Sequence, residues 1–288
     1  MLKRIVTGAV ILLVTTGALA AGYFLGAGWL SAIWGVVAVV CVLETEKALG
    51  DRLPKGVSVI AAVYAIITCL PYILKAFGTE TSLPEDTEYI IAVGFFLVSS
   101  AACIISGKKT DSVFFTAFLT VYPVFPLLSV LRLNVLPTEN APHLGLSAII
   151  LSFAVASLTD VFAYFCGSKF GKRKLVPKVS PNKTVEGAVG GLLGGIIGAA
   201  AAYVLFEVFG ILDLGIRLGS SIWIYAVAGI FGSVFTQTGD LIASMVKRSV
   251  NIKDYSRILG SHGGFMDRFD GTMMSASLVY AVIAIALG

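Results

Sequence analysis

A chain of 288 residues that is 57% hydrophobic and only 13% charged, with a mean hydropathy of +0.91, is too apolar for a soluble globular domain. The net charge of +4 is gathered in a few basic segments and suggests anionic lipid headgroups or an anionic substrate; no nucleic acid is expected as a partner. Cys41, Cys69, Cys103 and Cys166 form no CxxC pair and have no His at ligand spacing, so they read as buried free thiols rather than disulfides or zinc ligands.

Apolar stretches of roughly 18 to 22 residues, enough for a helix to cross the hydrocarbon core, recur from end to end. Nine are expected, at 5–24, 28–44, 57–76, 89–106, 112–131, 146–167, 187–209, 221–246 and 267–287. The fold class is therefore all-α, a polytopic integral membrane protein of about nine transmembrane helices. Residues 1–145 hold spans one to five. Residues 146–288 hold spans six to nine with the polar loops, and the two regions are expected to form one integrated membrane domain.

The amino terminus, with Lys3 and Arg4, is expected to be cytoplasmic. That choice also places 45–56, 107–111, 168–186 and 247–266 on the cytoplasmic side. Of the 21 Lys and Arg residues, only Lys75, Arg132 and Arg217 fall on the other side, leaving 18 on or beside the cytoplasmic segments, while the loop 78–88 is acidic. Helix count and charge bias support each other, because losing one span would invert every later loop. The opening MLKR and the small residues from Gly17 to Gly22 resemble a cleaved secretory signal, yet the charge alternation works with the first span retained as an anchor.

The first polar block starts inside span six with Thr159-Asp160 and Tyr164. It continues through Gly167, Lys169, Gly171-Lys172-Arg173-Lys174, Ser180-Pro181-Asn182-Lys183-Thr184 and Glu186-Gly187. Glycines permit close backbone approach, and Lys183 and Ser180 offer donors for phosphate oxygens. A solvated basic loop is the plainer alternative, and no GxxxxGK[ST] motif is present. Asp160 lies in an apolar run about two turns from its cytoplasmic end, where an idle carboxylate costs roughly 2.5 to 3.5 kcal/mol. A functional role is favoured over pairing with a Lys or capping a broken helix. In span seven Gly187, Gly190, Gly191, Gly194, Gly195 and Gly198 have the spacing of close helix packing rather than of a nucleotide loop.

The second block, residues 244–271, concentrates the costly residue types. Asp240, Ser244 and Lys247 share one face of span eight, and Asp267 and Asp270 share one face at the start of span nine. Three hard carboxylates without a thiolate or histidine cluster suit Mg²⁺ rather than zinc, although Asp267 and Asp270 are also ordinary helix-start residues. Metal carboxylates beside Lys247, Arg248, Lys253 and Arg257 are the parts required for phosphoryl or nucleotidyl transfer. His262 is a candidate general base or phosphate donor, or a turn-stabilising residue beside Gly263-Gly264.

Ser244, Lys247-Arg248, Lys253-Asp254, Ser256, Leu259-Gly260, His262-Gly263-Gly264, Phe265, Asp267-Arg268, Phe269 and Asp270 fill every fixed position of a spaced signature. The segment resembles the phosphatidate cytidylyltransferases (CDP-diacylglycerol synthases). The block from Asp160 to Gly187 resembles that family's other polar region. Likeness is strong over 159–271 and general, as hydrophobic helices, before it. One departure is Gly260-Ser261, where many members have Pro-Gly.

The resemblance implies attack by the phosphate of phosphatidic acid on the α-phosphorus of CTP, giving CDP-diacylglycerol and pyrophosphate. It implies Mg²⁺, with a second cation such as K⁺, and a metal site organised by Asp240, Asp267 and Asp270. Lys247 counts with them as catalytic. Ser244, Arg248, Lys183, Ser180, Asp160, His262, Lys253 and Arg268 would contact substrate. CTP, phosphatidic acid and membrane lipids are the expected partners. A homodimer is compatible with the family and the glycine-rich span. The expected location is the bacterial plasma membrane, with the site facing the cytoplasm. Two alternatives stay open: a CTP-dependent cytidylyltransferase or kinase acting on another lipid, and a transporter of an anionic substrate. A transporter would need polar residues along a route through the bilayer, whereas the polar chemistry here gathers on one side.

Overall fold

The computed structural model describes residues 15–79, 87–136, 143–212, 214, 222–260 and 263–287. The expected start of the first span, most of the acidic segment 78–88, and His262 lie outside these residues. The helices are α1 (15–25), α2 (Ala27–Leu49), α3 (Val57–Ala76), α4 (Thr87–Ile105), α5 (Asp111–Val121), α6 (Val124–Asn134), α7 (Leu144–Phe170), α8 (Val185–Tyr203), α9 (Ile222–Ser249) and α10 (Met266–Leu287). Among the described residues, eight helical stretches are long and apolar enough to cross a membrane, and they coincide with expected spans two to nine. The protein is an all-α polytopic membrane protein.

Two local features depart from expectation. Span five is two helices, α5 and α6, interrupted around Tyr122-Pro123. Pro123 has no N–H to continue the helical ladder, although Tyr122 before it keeps helical backbone and donates its N–H to Phe118 O at 2.8 Å. The segment expected as a loop after span six begins later, because α7 runs on to Phe170, and it then forms an antiparallel hairpin of β1 (Lys174–Val176) and β2 (Ser180–Thr184). Lys174 pairs with Thr184 and Val176 with Ser180. Pro181 is tolerated in β2 because a two-stranded ribbon always leaves each strand one unpaired edge.

The chain divides into two compact units, Met1–Leu131 with Val250–Arg268, and Arg132–Ser249 with Phe269–Gly288. In the first, α2 packs on α3, and α4 on α3 and α5. Tyr64 of α3 stacks on Phe95 of α4 with ring centroids 4.4 Å apart, and its hydroxyl donates to Thr120 O at 2.7 Å. A polar handle satisfied on a carbonyl is what a buried tyrosine needs.

In the second unit α7, α8 and α9 pack together, and the glycines of α8 are the reason they can. A Cβ on Gly198 would lie 2.7 Å from Ala154 O of α7, one on Gly194 would strike the backbone at Leu158, and one on Gly195 would lie 2.5 Å from Ser233 Cβ of α9. Two glycine stripes thus face two neighbouring helices, the close backbone approach that small residues permit in membranes. Outside these contacts the span surfaces are apolar. Ile104, Ile105 and Ile285 are exposed, as lipid-facing residues must be.

Thr184 joins the hairpin to α8. Its backbone is extended and its hydroxyl accepts from Gly187 N at 3.1 Å, an N-cap. Glu186, in the first turn, accepts from the backbone N–H groups of Lys172 at 3.0 Å and Arg173 at 3.2 Å. The basic strand-turn-strand is thereby held against the start of a rigid helix.

Candidate functional site

Within the unit Arg132–Ser249 with Phe269–Gly288, four elements carry ionisable side chains to one region. The hairpin brings Lys183 onto α9, where its Nζ lies 2.5 Å from Asp240 Oδ2. One turn along α9, Ser244 Oγ donates to Asp240 Oδ1 at 3.3 Å. From α10, the Asp270 carboxylate lies within electrostatic reach of Asp240, Lys247 and Asp160, and it accepts from Gly271 N at 2.8 Å. Gly239 makes this convergence possible, because a Cβ there would strike the backbone of Asp270.

Burial shapes the electrostatics. Lys247 and Asp270 are each only 8% exposed, and opposite charges withdrawn from water must compensate one another. Asp160 on α7 is exposed at the edge of the group, with Tyr164 exposed one turn on. Arg248 points to the hairpin, its Nε donating to Val179 O at 3.4 Å. Ser180 opens β2 and is half-buried. Lys183, Asp240, Ser244, Lys247, Asp160 and Asp270 therefore belong to one group of alternating charge, from residues up to 110 positions apart in sequence (160 to 270).

The other unit holds Lys253, Asp267 and Arg268, with Lys253 and Arg268 exposed. Asp267 Oδ2 accepts from Tyr255 N at 2.8 Å and Gly264 N at 2.9 Å, which folds the signature loop back on the first turn of α10. Leu259 N donates to Gly263 O and Gly260 N to Arg257 O, both at 2.9 Å. Gly260 and Gly263 have φ of 59° and 82°, left-handed backbone that favours glycine. The Gly260 departure from Pro-Gly is consistent with this loop, since proline cannot adopt such a φ.

Glu44 escapes a reading of spacing. It sits in α2, only 4% exposed, and its carboxylate accepts from Ser256 Oγ at 2.6 Å and from Met266 N at 2.9 Å. Gly264 lies so close that a Cβ would meet Glu44 Oε2 at 2.5 Å. The second glycine of His-Gly-Gly thus makes room for a carboxylate 220 residues earlier in the chain (44 to 264). The signal was an ionisable residue ending the apolar run Val36–Leu43, the same intramembrane signal that singles out Asp160.

Among the described residues no group of three or more His, Cys, Asp or Glu side chains is arranged to hold a metal ion. The oxygens of Asp240 and Asp270 are nonetheless a suitable donor set for Mg²⁺, which in nucleotide sites takes one or two carboxylates and completes its shell with phosphate oxygens and water.

The sequence model of the Cytidylyltransferase family matches residues 2–286. A phosphatidate cytidylyltransferase of Brucella abortus biovar 1 (strain 9-941) is 35% identical over 200 residues, covering 69% of this chain and 68% of the relative. One from Staphylococcus saprophyticus is 34% identical over 221 residues, 73% of this chain and 78% of the relative. Another from Aquifex aeolicus is 36% identical over 175 residues, 61% and 59% of the two chains.

Proposed function

This chain belongs to the cytidylyltransferase family, and on that premise we propose that the charged group on α7, β2, α9 and α10 transfers the cytidylyl group of CTP to phosphatidic acid. The protein is a membrane nucleotidyltransferase that forms CDP-diacylglycerol in phospholipid synthesis. A phosphate oxygen of the lipid bonds to the α-phosphorus of CTP while the bond to the β-phosphate oxygen breaks, and pyrophosphate leaves. The observation that carries this reading is the convergence of Lys183 with Asp240, and of Asp270 with Lys247, from separate elements of one unit.

An anionic phosphate nucleophile needs little proton abstraction, so positioning and charge neutralisation dominate the barrier. Asp240 and Asp270 would hold Mg²⁺; for Asp267 a metal role is what the family signature implies. A metal held by these carboxylates would neutralise charge on phosphate oxygens. Lys247 supplies a buried cation at the same place. Lys183 is held by Asp240 and offers a cation to incoming phosphate, while Ser244 and Arg248 extend the donor surface along α9. Ser180 and Asp160 flank the site.

CTP is water-soluble and phosphatidic acid lies in the bilayer, so the reaction belongs at the membrane face. The basic bias of the loops supports a cytoplasmic orientation for that face, and the bacterial origin of the relatives supports a location in the plasma membrane. Purified protein incubated with CTP, Mg²⁺ and phosphatidic acid in mixed micelles tests the proposal. Pyrophosphate should appear only when all three are present, and release without the lipid, or none at all, contradicts it.

A further inference from the structure

The unit Met1–Leu131 with Val250–Arg268 contains a cavity of about 900 Å³ between the last turns of α2 and the segment 252–258. That is toward the upper end of the range for small-molecule sites. Its lining has two characters. Val40, Leu43 and Ile258 give an apolar wall, whereas Lys47, Lys253 and Arg257 present cations.

Among the described residues none of those three cations forms an ion pair. Two carboxylates, Glu44 and Asp254, also line the cavity. Glu44 is committed on both oxygens, to Ser256 and to the backbone of Met266, and this bond pair fixes one wall of the cavity to the other. The charge count, three cations against two carboxylates, leaves an excess positive charge. Lys47 is in the last turn of α2, a stretch long and apolar enough to cross the membrane. Span ends lie at headgroup depth, where lysine and arginine meet lipid phosphates.

We propose that this cavity seats the phosphate and glycerol head of the acceptor lipid, with Lys47 and Arg257 as headgroup-binding residues. The inference rests on the proposed cytidylyl transfer for the identity of that lipid. A nucleotide phosphate has the same charge, but an apolar wall at the end of a membrane span suits a ligand that stays in the bilayer. Asp267 ties the cavity to the signature loop, because it binds the backbone N–H of Tyr255, a lining residue. The loop that carries the motif therefore also forms the lipid pocket.

Full-length Lys47→Ala and Arg257→Ala, with Lys47→Gln as a neutral variant that keeps a polar side chain, test the inference in mixed micelles. Phosphatidic acid is varied at saturating CTP, and CTP at saturating phosphatidic acid. KM for phosphatidic acid should rise about tenfold or more in each, as expected for loss of one charge-assisted contact, while KM for CTP stays unchanged. Lys47→Arg and Arg257→Lys should recover most of the loss. An unchanged KM for phosphatidic acid overturns the proposal, and a rise confined to CTP assigns the cavity to nucleotide instead. Native mass spectrometry of phosphatidic acid retained by each protein reads the pocket without turnover. If the wild type binds the lipid more strongly than the variants but forms no CDP-diacylglycerol, the transfer reading fails and the pocket stands.

Discussion

At the level of single residues, Asp240 and Glu44 make contrasting demands. Asp240 is 36% exposed and its partner Lys183 25%, so their ion pair contributes under about 1 kcal/mol to stability. Asp240→Asn should leave a folded, inserted protein whose transfer rate falls by about 10²-fold or more, read by turnover and thermal midpoint on the same preparation. Full activity in that variant would remove Asp240 from the metal site. Glu44 is buried, and Glu44→Ala leaves the Met266 N–H and the Ser256 hydroxyl without their acceptor, at about 1 to 3 kcal/mol for an unsatisfied buried group. The thermal midpoint should fall, and hydrogen exchange should quicken across 252–266, with Glu44→Gln intermediate. Exchange unchanged in that segment would show that Glu44 does not hold the loop. Asp240, Ser244 and Lys247 were legible from sequence because helical spacing puts them on one face. The grip of Glu44 on Ser256 was not, because a contact across 212 positions (44 to 256) leaves no local period.

The elements were legible where hydropathy is continuous. Spans two to nine emerge from runs of apolar residues, and the structure moves their ends by only a few positions, except at the end of α2 and in the fifth span, which breaks at Pro123. Less visible was the hairpin at 174–184. Its strands are three and five residues long, too short and polar for alternation to stand out. What fixes them is Glu186 on the backbone of Lys172 and Arg173, a tertiary contact. Thr184→Ala removes the cap of α8 and should cost about 1 kcal/mol, while loosening the hairpin that presents Lys183. A drop in activity larger than the stability loss explains is the expected result, checked by comparing thermal midpoint with turnover below it. The glycine stripes of α8 have the spacing of close packing in the sequence, and they lie against α7 and α9 in the structure. Gly195→Leu should separate α8 from α9 and lower the yield of folded protein in detergent.

The molecule as a whole combines a cytidylyltransferase sequence with a polytopic membrane topology. Hydropathy supplied the membrane, charge bias supports the proposed sidedness, and the comparisons supplied the chemistry. Single cysteines at Asp51, Lys108 and Lys172, in a background lacking the four native ones, should react with an impermeant maleimide only from the cytoplasmic side. Labelling of any one from outside would invert the topology.

The central claim is transfer of the cytidylyl group, rather than of the terminal phosphate, to phosphatidic acid. Purified protein supplied with phosphatidic acid, Mg²⁺ and CTP labelled at either the α- or the γ-phosphorus tests it most directly. The account predicts that the α-label enters the lipid fraction while the γ-label leaves as pyrophosphate. A γ-label in the lipid, or no label there from either nucleotide, would contradict it.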